Sequence, residues 1–309
     1  FNKQNCAYWL ESPRGNFNPK MADFLINILR LSSENGIYVL ISPFDTFFYD
    51  DYLTRIAWHS SQGGPLTDIN DFFTNADVLS MAKDRWSWVI NTISNSGYAD
   101  AVFGYEIMNE WDSFEWTKAD NNPNTDAQIR KVFIESLANH VRSLDSEHLL
   151  ISSTTALDPR GALGSYIYDS STFDAVMPHL YLPSNREFWN NPSLHKESKV
   201  VQEQANILSW WVANQANAKP VLNGEWGPSD GWLPNPEQPS YFSDFSEADD
   251  ELLTRKLWFT ELASGAAGPG IRMQGGVRGG AELGLHLSDA MFATASTISA
   301  FVNSSNNGL

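Results

Sequence analysis

Short apolar runs rich in branched residues alternate along this chain with longer stretches of helical period, and that alternation leaves few folds open. The runs cover residues 6–10, 37–42, 101–108, 149–153, 173–181, 220–223 and 267–273. They are too apolar to face water on either side, so they read as strands of a parallel sheet covered by helices. Helices are expected between and after them, over 19–35, 78–94, 126–143, 199–216, 249–264 and 288–302. In the first of these, Met21, Phe24, Leu25, Ile28 and Leu29 recur at helical spacing. Pro19 suits its first turn, and Gly36 suits its C-terminal stop.

Seven strand units follow one another without a composition break, so a single domain over 1–309 is expected. The predicted fold class is α/β, a (β/α)8 TIM barrel, and 309 residues suit one such barrel. A closed barrel needs an eighth strand, expected before Phe1 or formed irregularly by residues 1–4. A doubly wound open sheet competes with the barrel. No glycine-rich phosphate loop follows any strand, which deprives that alternative of its usual nucleotide site.

Twenty basic and 37 acidic residues give a net charge of −17, which repels phosphate backbones and anionic lipid. Neither nucleic acid nor a membrane is an expected partner, and no apolar run approaches the roughly 18 residues of a membrane span. With Cys6 alone, neither an internal disulfide nor a cysteine zinc site can be assembled. No metal and no cofactor are expected. The 12 Trp are more than a core requires and suggest flat faces for stacking sugar rings. Two long irregular segments, 43–75 and 226–248, are rich in aromatics and follow predicted strands, where a barrel places its active-site loops.

Two strands break into carboxylates. One run ends Met108-Asn109-Glu110-Trp111, and another ends Asn223-Gly224-Glu225-Trp226. Two carboxylates at one barrel rim are what glycoside hydrolysis uses, one to protonate the leaving oxygen and one to attack or to activate water. Glu106 shares strand parity with Glu110 but lies about 13 Å lower along the strand, so it is expected as a buried supporting carboxylate. A third strand end, Pro178-His179-Leu180-Tyr181, sets His179 and Tyr181 on one face. A Tyr hydroxyl there can orient a carboxylate, and a His can bond a sugar hydroxyl or the general acid.

These three strand ends together resemble the clan-A retaining glycoside hydrolases, most closely the family five cellulase and mannanase group. Asn109-Glu110 matches the family's fourth-strand pair, His179-Leu180-Tyr181 its sixth strand, and Gly224-Glu225-Trp226-Gly227 its seventh. The order agrees, and by that count the run at 6–10 is the second strand. The resemblance implies a retaining β-glycanase, an endo-β-1,4-glycanase on cellulose- or mannan-like polysaccharide. Glu225 would be its nucleophile, Glu110 its acid/base, Tyr181 the orienting hydroxyl and Asn109 a donor to the sugar 2-hydroxyl.

Sugar-stacking candidates are Trp226 and Trp111, which directly follow the two glutamates, then Trp58, Trp9, Trp116 and Trp232. Two departures from the family stand out. The second-strand Arg is missing from Asn5-Cys6-Ala7-Tyr8-Trp9-Leu10-Glu11, where Arg272 on the last strand is the candidate substitute. The eighth strand, Gly270-Ile271-Arg272-Met273-Gln274-Gly275, lacks the usual Trp floor. The alternatives are a carbohydrate-binding barrel without catalysis and an exo-acting β-glycosidase of the same clan. A metal-dependent hydrolase using Asp45, Asp50, Asp51 or His59 lacks the His-x-His spacing it would need. An oligo- or polysaccharide partner implies a secreted or extracellular protein.

Overall fold

A computed structural model describes residues 9–45, 53–111, 123–154, 170–179, 197–214 and 219–225, together with helical positions 293, 296, 297, 299 and 300. The chain divides into two compact units: 1–155 with 160–176, and 156–159 with 177–309.

In the first unit, α1 (Pro19–Glu34) leads into β1 (Val39–Ile41), α2 (Ala76–Ser94) into β2 (Val102–Glu106), and α3 (Pro123–Leu144) into β3 (Leu149–Thr154). β4 (Ala175–Pro178) begins there, and its last two residues open the second unit. The strand order is β1-β2-β3-β4, with β1–β2 and β2–β3 parallel. Each strand therefore lies beside its sequence neighbour, with α2 crossing over from β1 to β2 and α3 from β2 to β3, as a barrel requires. Gly104 is forced by this pairing, since a Cβ there would stand 2.6 Å from the Leu149 carbonyl oxygen.

The helices begin where side chains can replace missing backbone partners. Asn18 accepts from the Lys20 amide at 3.1 Å ahead of Pro19, and Asn75 accepts from Asp77 and Val78 at 2.9 and 3.3 Å. On α1 the apolar face is narrower than its spacing predicts. Leu29 is fully buried, whereas Phe24 is 57% exposed. Five residues correspond to about 140° around the helix, so both cannot face the sheet squarely. Among the described residues α2 contributes more to the core than any other helix or strand, with Val78, Ala82, Trp86, Val89 and Ile90 buried. Trp86 meets Tyr105 of β2 edge-on at 5.5 Å and donates its indole N–H to the Ile107 carbonyl at 3.3 Å.

The irregular segment after β1 contains 3-10 turns at Leu53–Arg55, Ser60–Gln62 and Ile69–Asp71. It is held by an ion pair taken almost wholly out of water. Arg85 Nη2 reaches Glu11 Oε2 at 3.0 Å, and the same oxygen accepts from the Trp58 indole at 3.1 Å. The Arg85 guanidinium lies 4.4 Å from the Trp58 ring centroid and 4.9 Å from that of Phe44.

In the second unit, α4 (Glu197–Asn214) precedes the segment 219–225, which carries Val221 and Asn223 into burial. The expected strand at 267–273, the helix at 249–264 and the loop at 226–248 lie outside the described residues. So do residues 1–8, and with them the expected first strand and most of the run at 6–10. No helix among the described residues is long and apolar enough to cross a membrane.

Candidate active site

β2 ends at Glu106, but its neighbours follow the chain further. The Ile107 amide donates to Ile151 O at 3.3 Å on the β3 side, and the Asn109 amide donates to Phe44 O at 3.0 Å on the β1 side. Asn109 pairs in parallel with Asp45, and its side-chain amide donates to Asp45 Oδ1 at 3.3 Å. That bond orients the plane of the Asn109 amide group.

Glu110 then leaves the strand in the left-handed region, at φ 48°. That conformation crowds a side chain bearing Cβ and is uncommon outside glycine. Its amide is caught by Ser153, whose Oγ accepts at 3.0 Å and donates to Met108 O at 3.3 Å. The parity that would align Glu110 with Glu106 ends at this residue, because an alternation rule holds only while φ stays extended. Glu106 itself is 5% exposed, the buried carboxylate anticipated for it.

The tryptophans divide differently from expectation. Trp58 is fully buried between Phe44, Phe72 and Arg85, so it packs its loop rather than offering a face to sugar. Trp111 is 1% exposed, and its carbonyl accepts from Arg130 at 3.4 Å. Adjacency to a glutamate misleads here, since a residue after a sharp backbone reversal can point into the core. His59 caps the turn at Ser60–Gln62, its Nδ1 accepting from the Ser61 amide at 3.1 Å.

In the second unit, His179 at the end of β4 pairs in parallel with Glu225. Its Nδ1 lies 3.6 Å from Glu225 Oε1, with the imidazole 1% exposed and the carboxylate 33% exposed. The buried ring thus stands behind a carboxylate that is itself partly exposed. Gly224 makes this approach possible. A Cβ at that position would come within 3.0 Å of His179 Nε2 and press into the Met177 thioether. The Gly224 amide also donates to Pro178 O at 3.3 Å, continuing the pairing beside β4. Tyr181, Trp226 and Arg272 lie outside the described residues, as do Trp116, Trp232, Asp50 and Asp51.

Three roles are not read from the sequence: Ser153 as the partner of the Glu110 amide, Asp45 as the partner of the Asn109 amide group rather than a metal ligand, and Trp58 as a member of a buried group with Glu11 and Arg85 rather than a sugar platform. The one signal for the first is a run of hydroxyl side chains, Ser152-Ser153-Thr154, closing an otherwise apolar strand.

Parallel strands alternating with helices, and ending in carboxylates and polar side chains, define an α/β barrel with its chemistry at the C-terminal strand ends. The chain belongs to glycosyl hydrolase family 5: the cellulase (glycosyl hydrolase family 5) model matches residues 6–257. It is similar to mannan endo-1,4-beta-mannosidase 7 of Arabidopsis thaliana, 24% identical over 86% of this chain and 62% of the relative. It also matches mannan endo-1,4-beta-mannosidase 4 of Oryza sativa subsp. japonica, 30% identical over 46% of this chain and 30% of the relative. The chain thus spans less than two thirds of the length of these relatives.

Among solved structures, the endo-1,4-beta-D-mannanase of Thermotoga petrophila RKU-1 aligns with a TM-score of 0.57 and 17% identity, covering 86% of this chain and 72% of that one. The endo-1,4-beta-mannanase of Rhizomucor miehei aligns at 0.54 and 16%, covering 88% and 76%. At those identities the likeness shows the fold, the TIM barrel.

Proposed function

We infer that this chain is the barrel of a retaining β-glycan hydrolase that uses Glu225 as nucleophile and Glu110 as acid/base. The observation that carries the reading is the Glu225–His179 contact: a strand-end carboxylate, open on one side, backed by a buried imidazole at 3.6 Å. Family membership and the ordered strand-end motifs support it. In the first step Glu225 attacks the anomeric carbon while Glu110 protonates the departing glycosidic oxygen, and the glycosidic C–O bond breaks. In the second, Glu110 takes a proton from water, which attacks the glycosyl ester and frees Glu225. Double displacement of this kind requires carboxyl groups about 5–5.5 Å apart. Asn109, its amide plane set by Asp45, is the donor to the sugar 2-hydroxyl, where bonds strengthen in the oxocarbenium-like transition state.

The substrate of this reading is a β-1,4-linked polysaccharide, mannan before cellulose, cut internally. The names of the plant relatives favour mannan. A polymeric substrate of that kind places the enzyme outside the cell.

Reducing-sugar release from β-mannan tests the assignment. Glu110→Gln and Glu225→Gln are each expected to lower it by roughly 10²–10⁴-fold or more with an unchanged circular dichroism spectrum. Near-wild-type hydrolysis by either variant sinks the two-glutamate mechanism. Release of monosaccharide alone would make the enzyme exo-acting. A calorimetric titration with mannohexaose that saturates without product would make the barrel a binding protein.

A further inference from the structure

We propose that Ser153, on β3, is a positioning residue for Glu110: its hydroxyl holds the carboxylate's backbone in the left-handed conformation from which the side chain acts. This rests on the reading of Glu110 as acid/base. Three observations converge on the hydroxyl. Glu110 stands at φ 48°, a conformation that its own Cβ opposes. Ser153 Oγ takes the Glu110 N–H at 3.0 Å and gives its proton to Met108 O at 3.3 Å, closing a bridge across the turn where the strand ends. The Ser153 side chain is wholly buried, so water cannot stand in for it.

The consequence is geometric. Rotating Glu110 from positive to negative φ redirects its Cα–Cβ bond, and the carboxylate swings with it. General acid catalysis demands hydrogen-bond reach to one particular oxygen, so a displaced carboxylate loses the reaction without losing its acidity. Ser153 touches neither substrate nor reacting atoms. It acts through Glu110.

Leaving-group dependence separates positioning from general damage. A dinitrophenyl group departs without protonation, whereas the sugar hydroxyl of an oligosaccharide needs the acid. Ser153→Ala is therefore expected to lower kcat/KM on mannohexaose by roughly 10- to 100-fold, part of the ~10²–10⁴ that a positioned acid supplies. On 2,4-dinitrophenyl β-mannobioside the loss should stay within about threefold, since that substrate bypasses the acid. Ser153→Thr, which keeps the hydroxyl, should recover most of the difference between the two substrates.

Equal losses on both substrates, or no loss on either, overturn the proposal. Glu110→Ala measured alongside distinguishes the two levels. If Glu110→Ala shows the leaving-group dependence and Ser153→Ala does not, the positioning role alone fails. If Glu110→Ala hydrolyses mannohexaose like the wild type, the acid/base reading fails and the proposal falls with it.

Discussion

The polar side chains that precede β3 and β4 and those that follow β2 are held by opposite means. Ahead of β3, Asp145 is saturated. It accepts from Tyr105 Oη at 2.7 Å, His148 Nδ1 at 2.8 Å, and the amides of Glu147 and His148 at 3.0 and 3.2 Å. Ahead of β4, Asp174 takes the Leu150 amide at 2.7 Å and the Arg142 guanidinium. Each carboxylate there ties elements together, Asp145 through both of its oxygens and Asp174 through one oxygen shared by β3 and α3. After β2, by contrast, Glu110 is held through its backbone by Ser153, and Asn109 spends one side-chain N–H on Asp45. The first arrangement consumes side chains to secure strand starts. The second secures the main chain at the strand end, the face where a barrel carries its chemistry.

The largest effect expected from breaking this division comes from the support under the second region. Arg85 is 9% exposed and Glu11 2% in their ion pair, and Arg85 also donates to Pro43 O at 3.4 Å, just before the residues that pair with Asn109. Removing one partner leaves a buried charge unmatched. Arg85→Ala should therefore destabilise the fold by about 3–5 kcal/mol. Chemical unfolding followed by Trp fluorescence measures it. Glu11→Gln/Arg85→Met, which removes both charges, should recover much of that loss. A double variant as unstable as Arg85→Ala would show that the packing of the guanidinium over Trp58 and Phe44 outweighs its charge.

How much of this could be read from the sequence depends on the kind of feature. Periodicity placed α1 at 19–35 against the observed Pro19–Glu34, and α2 at 78–94 against Ala76–Ser94. The short start on α2 arose because Asn75, the cap, is polar and Ala76-Asp77 carries no apolar period. The strand expected at 101–108 stops at Glu106. A 3-10 turn at Ala99–Ala101 absorbs its start, and the approach to the left-handed Glu110 ends the ladder. Strand-end glutamates were legible because a carboxylate terminating an apolar run is chemically conspicuous. Ser153, Asp45 and the fate of Trp58 were not, since each role depends on a partner more than 40 positions away. Residue type gives no hint of that pairing.

A smaller effect tests the saturated side. Asp145→Ala strips the acceptor from a buried Tyr hydroxyl and two amides, and it should cost about 2–3 kcal/mol. Hydrolysis per folded molecule should stay at the wild-type level, because Asp145 secures the start of a strand rather than its end. Ser153→Ala is expected to do the reverse, changing the rate more than the melting temperature. A rate loss in Asp145→Ala at temperatures where it is fully folded would mean that the two regions are mechanically linked, and the division drawn above would fail.

The smallest effect is a dependence on acid. Burial alone would raise the pKa of Asp145, but its bonds from Tyr105 and His148, with the amide of Glu147, pull it down to about 2. The same contact, after burial, pushes the Tyr105 hydroxyl upward, so Tyr105 remains a donor throughout the acid range. In the unfolded chain an Asp titrates near ~3.9. The folded state thus binds the proton less readily than the unfolded state, and stability is contributed above the unfolded value. It is lost as pH falls from about 4 toward about 2, by about 1–2 kcal/mol. Other carboxylates titrate in the same window, so the wild type alone does not isolate this one. The stability difference between wild type and Asp145→Asn does, because every other group cancels. That difference should shrink between pH 6 and pH 2, the Asn being blind to the proton. A gap that stays constant across the range would mean that the side chain's shape, rather than its charge, is what Tyr105 and His148 bind.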